Sequence, residues 1–299
     1  MEGEMPRNLD LRRVDIDVGA ARPFKALLVA DAHLALADAR ENDPRKLALA
    51  ANRGPWFRDA ARFLDEAVRR AREEGAIPLL AGDIWDFVSI RNIEAAKHVF
   101  AEGDWFACVG NHEFSQYVGE AREDEDYKAQ SAERVASVWP NDTSFASRVV
   151  NGVNFVAVDD VYYNFTERQL ALMEGEAAKG LPIVLICHVP LYLPGHYAEQ
   201  MRRKGGICSY ETGVPDELVN TWKSERDFPP GEEWCDRRAQ QRADAPTKAF
   251  VAYLKALPLL KAILCGHNHA FWVERFSPSA VQCVCGGLYC GEGCLIDFR

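Results

Sequence analysis

No apolar stretch among these 299 residues approaches the roughly 20 residues that a membrane-spanning helix requires. The opening Met1-Glu2-Gly3-Glu4-Met5-Pro6-Arg7 likewise lacks the apolar core of a secretory signal. A cytoplasmic address with no membrane contact is therefore the default expectation. Gly/Ser and Pro-repeat linkers are missing, and no segment recurs at a fixed period. Residues 1–299 are accordingly expected to form a single domain. Basic excess is absent too: 45 acidic against 35 basic residues give a net charge of −10, which argues against a long nucleic acid as the main partner. None of the nine cysteines forms a C-x-x-C pair, although Cys283, Cys285, Cys290 and Cys294 crowd together. With Cys108, Cys187 and Cys265 inside apolar runs, reduced thiols acting as small core residues are expected.

What the chain does contain is five short apolar runs that each stop at a metal-competent side chain. Phe24 to Ala30 leads into Asp31-Ala32-His33, and Ile77 to Ala81 into Gly82-Asp83-Ile84-Trp85-Asp86. Trp105 to Val109 precedes Gly110-Asn111-His112-Glu113, Ile183 to Cys187 precedes His188, and Ala262 to Cys265 precedes Gly266-His267-Asn268-His269. Runs of this length, rich in Leu, Val and Ile and polar only at the exit, read as buried strands. Ligands in open α/β sheets bind beyond the carboxyl ends of such strands, so the five ends can converge. Carboxylate, amide oxygen and imidazole in mixture suit Mn, Fe, Zn or Co better than Ca or Mg. Two divalent cations would bring four positive charges while Asp31 and Asp83 return two. The cluster would stay electropositive and favour a phosphate. Five of the seven histidines fall in these endings.

The ordered set resembles the calcineurin-like metallophosphoesterases across about residues 24 to 270. The matching pieces are Asp31-x-His33, Gly82-Asp83-x-x-Asp86, Gly110-Asn111-His112-Glu113, His188 and Gly266-His267-x-His269. The resemblance implies a four-layer αββα sandwich of two mixed sheets with flanking helices. It implies two divalent transition-metal ions, Mn foremost: Asp31, His33 and His269 on the first, Asn111, His188 and His267 on the second, Asp83 between them. His112 would face the substrate as general acid or phosphoryl contact, with Asp86 orienting it. The implied reaction is hydrolysis of a small phosphomonoester or phosphodiester by metal-bound hydroxide. A metal-dependent nuclease and a non-catalytic metal-binding scaffold are the alternatives, and retention of His112 argues against the scaffold. No Arg follows Asp86, where Phe87 stands, which separates the chain from the protein Ser/Thr phosphatase branch.

The rest of the chain supplies scaffold and one insertion. Asp59 to Glu74 has apolar residues at helical spacing and ends at Gly75; Thr166 to Gln169 has the form of a capping box. Asn151-Gly152 marks a hairpin, Thr247 to Leu257 a second amphipathic helix. The acidic run 120–126 reads as a solvated face, Glu113 as a supporting residue and Asp159-Asp160 as a loop cap. After His269, Phe271–Phe276, Val281–Cys285 and Leu295–Phe298 are expected to run as successive hairpins. His98 lies in a helical stretch, whereas His196 could reach the substrate. Residues 194–245 show no clear periodicity yet hold Tyr197, Tyr210, Trp222 and Trp234, which suits an inserted cap over the metals. Arg202, Arg203 and Lys204 are its candidate contacts to a second anionic group.

Overall fold

The computed structural model of the protein describes residues 8–118, 124–223 and 237–299. Two mixed sheets stack face to face. The first has the order β1 (Asp10–Ile16), β11 (Glu292–Phe298), β2 (Phe24–Val29), β3 (Ala76–Ala81), β4 (Phe106–Cys108). Strand β11 runs parallel to β1 and antiparallel to β2, and β2, β3 and β4 are mutually parallel. The second has the order β5 (Phe145–Val150), β6 (Val153–Val158), β7 (Ile183–Ile186), β8 (Leu260–Cys265), β10 (Val281–Val284), β9 (Trp272–Arg275), with the central four parallel.

Alternation along each buried strand explains the layering, because successive side chains point to opposite faces. Ala26 and Leu28 of β2 and Leu79 and Ala81 of β3 meet Phe155, Ala157, Val184, Ile186, Ala262 and Leu264 between the sheets. Their neighbours Leu27, Val29 and Leu80 face outward onto Phe63, Leu64 and Ala67 of α2 (Ala60–Glu74) and onto α3 (Ile90–Ala101) and α4 (Glu125–Ala136). On the far side Val156, Leu185 and Ile263 pack against Met173 of α5 (Glu167–Ala177) and Phe250 and Leu254 of α9 (Ala245–Ala256). The result is the expected αββα sandwich. Full burial of each Phe or Leu in it contributes roughly 1.5–3 kcal/mol.

The local signals act as their chemistry dictates. Gly75 closes α2 in the left-handed conformation, and Thr166 and Gln169 cap α5 reciprocally. Asn151 and Gly152, at φ of 50° and 81°, form the tight turn of the β5–β6 hairpin. The carboxyl-terminal hairpin expectation needs correction. β9 and β10 do pair antiparallel, but β11 crosses to the other sheet and inserts between β1 and β2. A strand apolar on alternate positions cannot reveal which sheet will accept it.

Residues 194–245 are also more regular than the sequence suggests. They open with α6 (Pro194–Arg203), continue through one-turn α7 (Asp216–Val219) and α8 (Arg237–Gln240), and pass into α9. Cys208, Val214, Val219 and Trp222 form a small core of their own, bordered by Tyr192, Tyr197 and Met201. Trp234 and residues 120–123 of the acidic run lie outside the described residues. Eight described cysteines are all free thiols, seven of them buried. No described helix is long and apolar enough to cross a membrane.

Candidate metal centre

The five strand ends meet at one edge of the sandwich. β2 delivers Asp31 and His33, β3 Asp83 and Asp86, and β4 Asn111 and His112. From the second sheet β7 delivers His188, and β8 delivers His267 and His269. Sharp backbone turns make this possible. Asp31, His33, Asp83, His267 and His269 all have left-handed φ, between 52° and 68°. Each such residue costs about 1–3 kcal/mol, a strain that collects where function demands a geometry. Two glycines let the strand ends close on each other. A Cβ at Gly110 would lie 2.2 Å from Asp83 Oδ1, and one at Gly266 would lie 2.5 Å from the Ala30 Cβ.

Two adjoining clusters result. In the first, His33 Nε2 and His269 Nε2 face each other at 3.1 Å, with Asp31 Oδ1 3.4 Å from His269 Nε2 and 4.0 Å from His33 Nε2. In the second, His188 Nε2 and His267 Nδ1 face each other at 3.1 Å, with Asp83 Oδ2 3.2 Å from His188 Nε2. Asp83 Oδ2 also lies 3.8 Å from His33 Nε2, which places that carboxylate between the clusters. Asn111 Oδ1 is buried without a hydrogen-bond partner.

The other nitrogen of each imidazole has a polar neighbour. His188 Nδ1 donates to the Ala81 carbonyl at 2.7 Å, and His33 Nδ1 lies 3.3 Å from the Asp86 carboxylate. His267 Nε2 pairs with the Tyr163 hydroxyl at 3.1 Å, and the Tyr289 hydroxyl stands 3.4 Å from His269 Nδ1. With a proton on each outward nitrogen, the inward nitrogens would present lone pairs to one another across 3.1 Å, which repel unless a proton or a cation lies between them. The donor set fits a pair of divalent cations, and such outer partners are what fixes a ligating imidazole.

Electrostatics follow from the same packing. Burial pushes the Asp83 carboxyl up, but the imidazoles of His188 and His112 outweigh it and hold it well below the ordinary carboxylate range. Burial opposes a charge on His188, yet Asp83 raises its basicity. Burial lowers the basicity of His33, and burial with the nearby His188 lowers that of His267. Neutral imidazoles are the form that can ligate.

His112 has a different environment. Its Nδ1 donates to the Asp86 carbonyl at 2.7 Å, its backbone N–H donates to Asp83 Oδ1 at 2.9 Å, and its ring stands edge-on to His33 with centroids 4.6 Å apart. The expectation for Asp86 is therefore corrected in part. Its main-chain oxygen, not its carboxylate, holds His112; the carboxylate stands 3.5 Å from His112 Nδ1 and is taken by His33 and by Arg53. Burial pushes the Asp86 carboxyl up, but the bonds from Arg53 and His33 prevail and bring it to about 2.

One supporting residue, Arg53, had no sequence signal, whereas the sequence reads Glu113 and Asp159-Asp160 as supporting and capping residues. Arg53, at the end of α1 (Pro44–Arg53), arrives from a helix with no motif and donates to the Asp86 carboxylate at 2.8 Å. Glu113 accepts the backbone N–H groups of Asp83, Ile84 and Gly110 at 2.7, 2.9 and 2.6 Å, so it knits β3 to β4; burial and the Asp83 charge push it up to about 8. Asp160 caps the backbone at His188 and Val189, both at 3.0 Å; Asp159 pairs with Lys128. Tyr163 follows them, and the apolar run Phe155 to Val158 was the signal that a sixth strand end lay near. His196 is remote from this chemistry: fully buried, it pairs with Glu211 at 2.8 Å. His98 lies in α3.

Nitrogen and oxygen donors gathered in two touching clusters, at the joined carboxyl ends of two sheets, are the mark of a metal-dependent α/β hydrolase. The chain belongs to the calcineurin-like phosphoesterase family, whose model matches residues 24–271, and is a hydrolase of phosphoric esters. Among solved structures, a purple acid phosphatase from yellow lupin (Lupinus luteus) superposes with a TM-score of 0.51 at 12% identity, covering 92% of this chain and 45% of that one. This chain thus spans just under half of the lupin protein. A dimetal phosphatase from Danio rerio matches at 15% identity and a TM-score of 0.48 over 89% of this chain and 88% of that one. A 5'-nucleotidase from Candida albicans matches at 14% identity and a TM-score of 0.42 over 96% and 48%. Comparison with curated protein sequences finds no match.

Proposed function

We propose that the protein hydrolyses a small phosphomonoester or phosphodiester with two divalent transition-metal ions, Mn foremost. Asp31, His33 and His269 would hold one ion and Asn111, His188 and His267 the other, with Asp83 shared. The observation that carries this reading is the pair of imidazole–imidazole approaches at 3.1 Å, each beside a carboxylate. When bound, such ions lower the pKa of water and neutralise phosphoryl oxygens. The chain's own residues do the rest. Asp83 and Asp31 supply two negative charges against four, so an anionic ester is drawn in. His112, fixed through Nδ1, has Nε2 left and would give a proton from it to the departing oxygen. Assay of the purified protein on a nitrophenyl phosphoester tests the reading: activity is expected to vanish on chelation and to return best with Mn. Full turnover by the metal-free protein would refute it.

The segment 194–245 supports a small substrate. Tyr210, itself at φ 56°, sets its ring 6.0 Å from that of His267, and Asn268 donates to the Tyr210 carbonyl at 3.2 Å. Lys204 Nζ stands 5.1 Å and the Arg237 guanidinium 5.6 Å from the Tyr210 ring, so cationic groups flank the second cluster. Arg202 and Arg203 are spoken for by Glu199 on their own helix and point away as a solvated face. Of the three basic candidates, Lys204 is therefore the one placed to meet a second anionic group. Lys204→Ala is expected to raise KM about fivefold for an ester carrying a second phosphate, the size of one exposed charge contact. KM for nitrophenyl phosphate should not move. Equal KM changes for both esters would remove Lys204 from recognition.

A further inference from the structure

Among the described residues the most exposed large hydrophobic side chain is Trp56, at 77%, against 50% or less for the others. An indole left in water forgoes the stabilisation that burial gives it and leaves a flat aromatic face open. Trp56 sits in the short turn between α1 and α2, and that turn is not loose. Its N–H donates to the Arg53 carbonyl at 2.9 Å, and the Phe57 N–H donates to Gly54 at 3.2 Å, so the indole is held outward by a fixed backbone. Asn52, Arg53, Trp56 and Phe57 line a cavity of about 370 Å³.

That cavity shares its walls with the metal centre. Phe57 stacks on His33, with centroids 5.1 Å apart and planes 23° apart, and packs edge-on to Tyr289 at 5.2 Å. Arg53 grips Asp86, whose carbonyl oxygen holds His112. The ring of His112 lies 4.6 Å from that of His33. Through Phe57 and Arg53 the cavity thus adjoins His33 and Asp86, the two residues that neighbour His112. Lys204 and Arg237 lie instead over the Tyr210 ring, which neighbours His267.

We propose that the Trp56 cavity is the leaving-group subsite and takes a planar aromatic ring, stacked on the Trp56 indole and bordered by the Arg53 guanidinium. This rests on the phosphoesterase reading of the metal centre. An aryl ester and a nucleoside monophosphate share the required chemistry, and a flat π-face on an indole with a guanidinium at its edge suits either. An alkyl ester such as glycerol phosphate has no face to stack.

The test compares kcat/KM on phenyl phosphate, adenosine 5'-monophosphate and glycerol phosphate in the Mn-supplemented wild type, Trp56→Ala and Trp56→Phe. Stacking on one aromatic side chain corresponds to a preference of about ten- to a hundredfold. The aromatic-over-alkyl ratio is expected to fall by about that factor in Trp56→Ala and to be largely kept in Trp56→Phe. A fall for phenyl phosphate alone identifies aryl esters, and a fall for the nucleotide alone identifies nucleosides. An unchanged ratio, or equal losses on all three esters, overturns the subsite. Calorimetric titration with the same three compounds separates this from failure of the functional reading. A wild type that hydrolyses none of them loses the monoesterase half of the functional reading. The subsite then stands if the aromatic compounds bind about tenfold tighter than glycerol phosphate only while residue 56 is aromatic, and falls if they do not.

Discussion

Asp83→Asn is expected to abolish turnover, lowering kcat/KM on nitrophenyl phosphate by more than about 10³-fold, because a charge shared by two cations is removed at once. The geometry explains why the effect should exceed that of any other single donor. Asp83 Oδ2 faces His188 at 3.2 Å and His33 at 3.8 Å, so one carboxylate touches both clusters. Its Oδ1 accepts the His112 backbone N–H at 2.9 Å, so it also positions the substrate-facing imidazole. An amide keeps the shape but loses the charge, and its NH₂ would crowd inward imidazole nitrogens. Metal content measured on the purified variant should fall below two ions per chain, while the far-ultraviolet spectrum stays that of a folded αββα protein. A variant that keeps both ions and near-normal turnover would remove Asp83 from the bridging position.

His112→Ala is expected to cost about 10²–10⁴ in rate on esters with poor leaving groups, the usual scale of general-acid assistance. The loss should shrink on nitrophenyl phosphate, since nitrophenolate departs without a proton. The Nδ1 bond to the Asp86 carbonyl leaves only Nε2 for this work. His112 also lies close enough to His33 and Asp83 to complete a three-donor set with them, so metal content is the deciding measurement. Two ions retained with a leaving-group-dependent rate supports the acid role. Loss of an ion would make His112 a ligand.

Much of this centre is legible in one dimension because it obeys a simple rule. An apolar run that stops at Asp, Asn or His must hold its donor just past a buried strand, and five such stops were visible. Asp31 and His33 illustrate it: the sheet buries Leu28 and Val29, and the next polar residues fall at the edge by necessity. Helix boundaries marked by Gly75 and by the Thr166 cap were legible because their signals are local. Residues acting through space left no trace. Arg53 reaches Asp86 across 33 positions, and nothing in Asn52-Arg53-Gly54 announces an ion pair. His196 shows the converse, since a histidine eight residues after His188 looked reachable until α6 turned it inward onto Glu211.

The sequence by itself determined the candidate donors and the strands that carry them, because these depend on residue type and on periodicities of two or 3.6. Tertiary structure alone decided that the donors come from two different sheets, with Asp31, His33, Asp83 and Asn111 on one and His188, His267 and His269 on the other. It also decided that β11 crosses to pair with β1 and β2, that the Asp86 carboxylate lies against Arg53 and His33 while its carbonyl serves His112, and that Trp56 stands exposed beside Arg53 and Phe57. The physical reason is common to all four. Pairing partners, shared carboxylates and exposed rings are fixed by which surfaces the packed layers bring together, and a strand or turn carries the same local pattern whichever neighbour it meets.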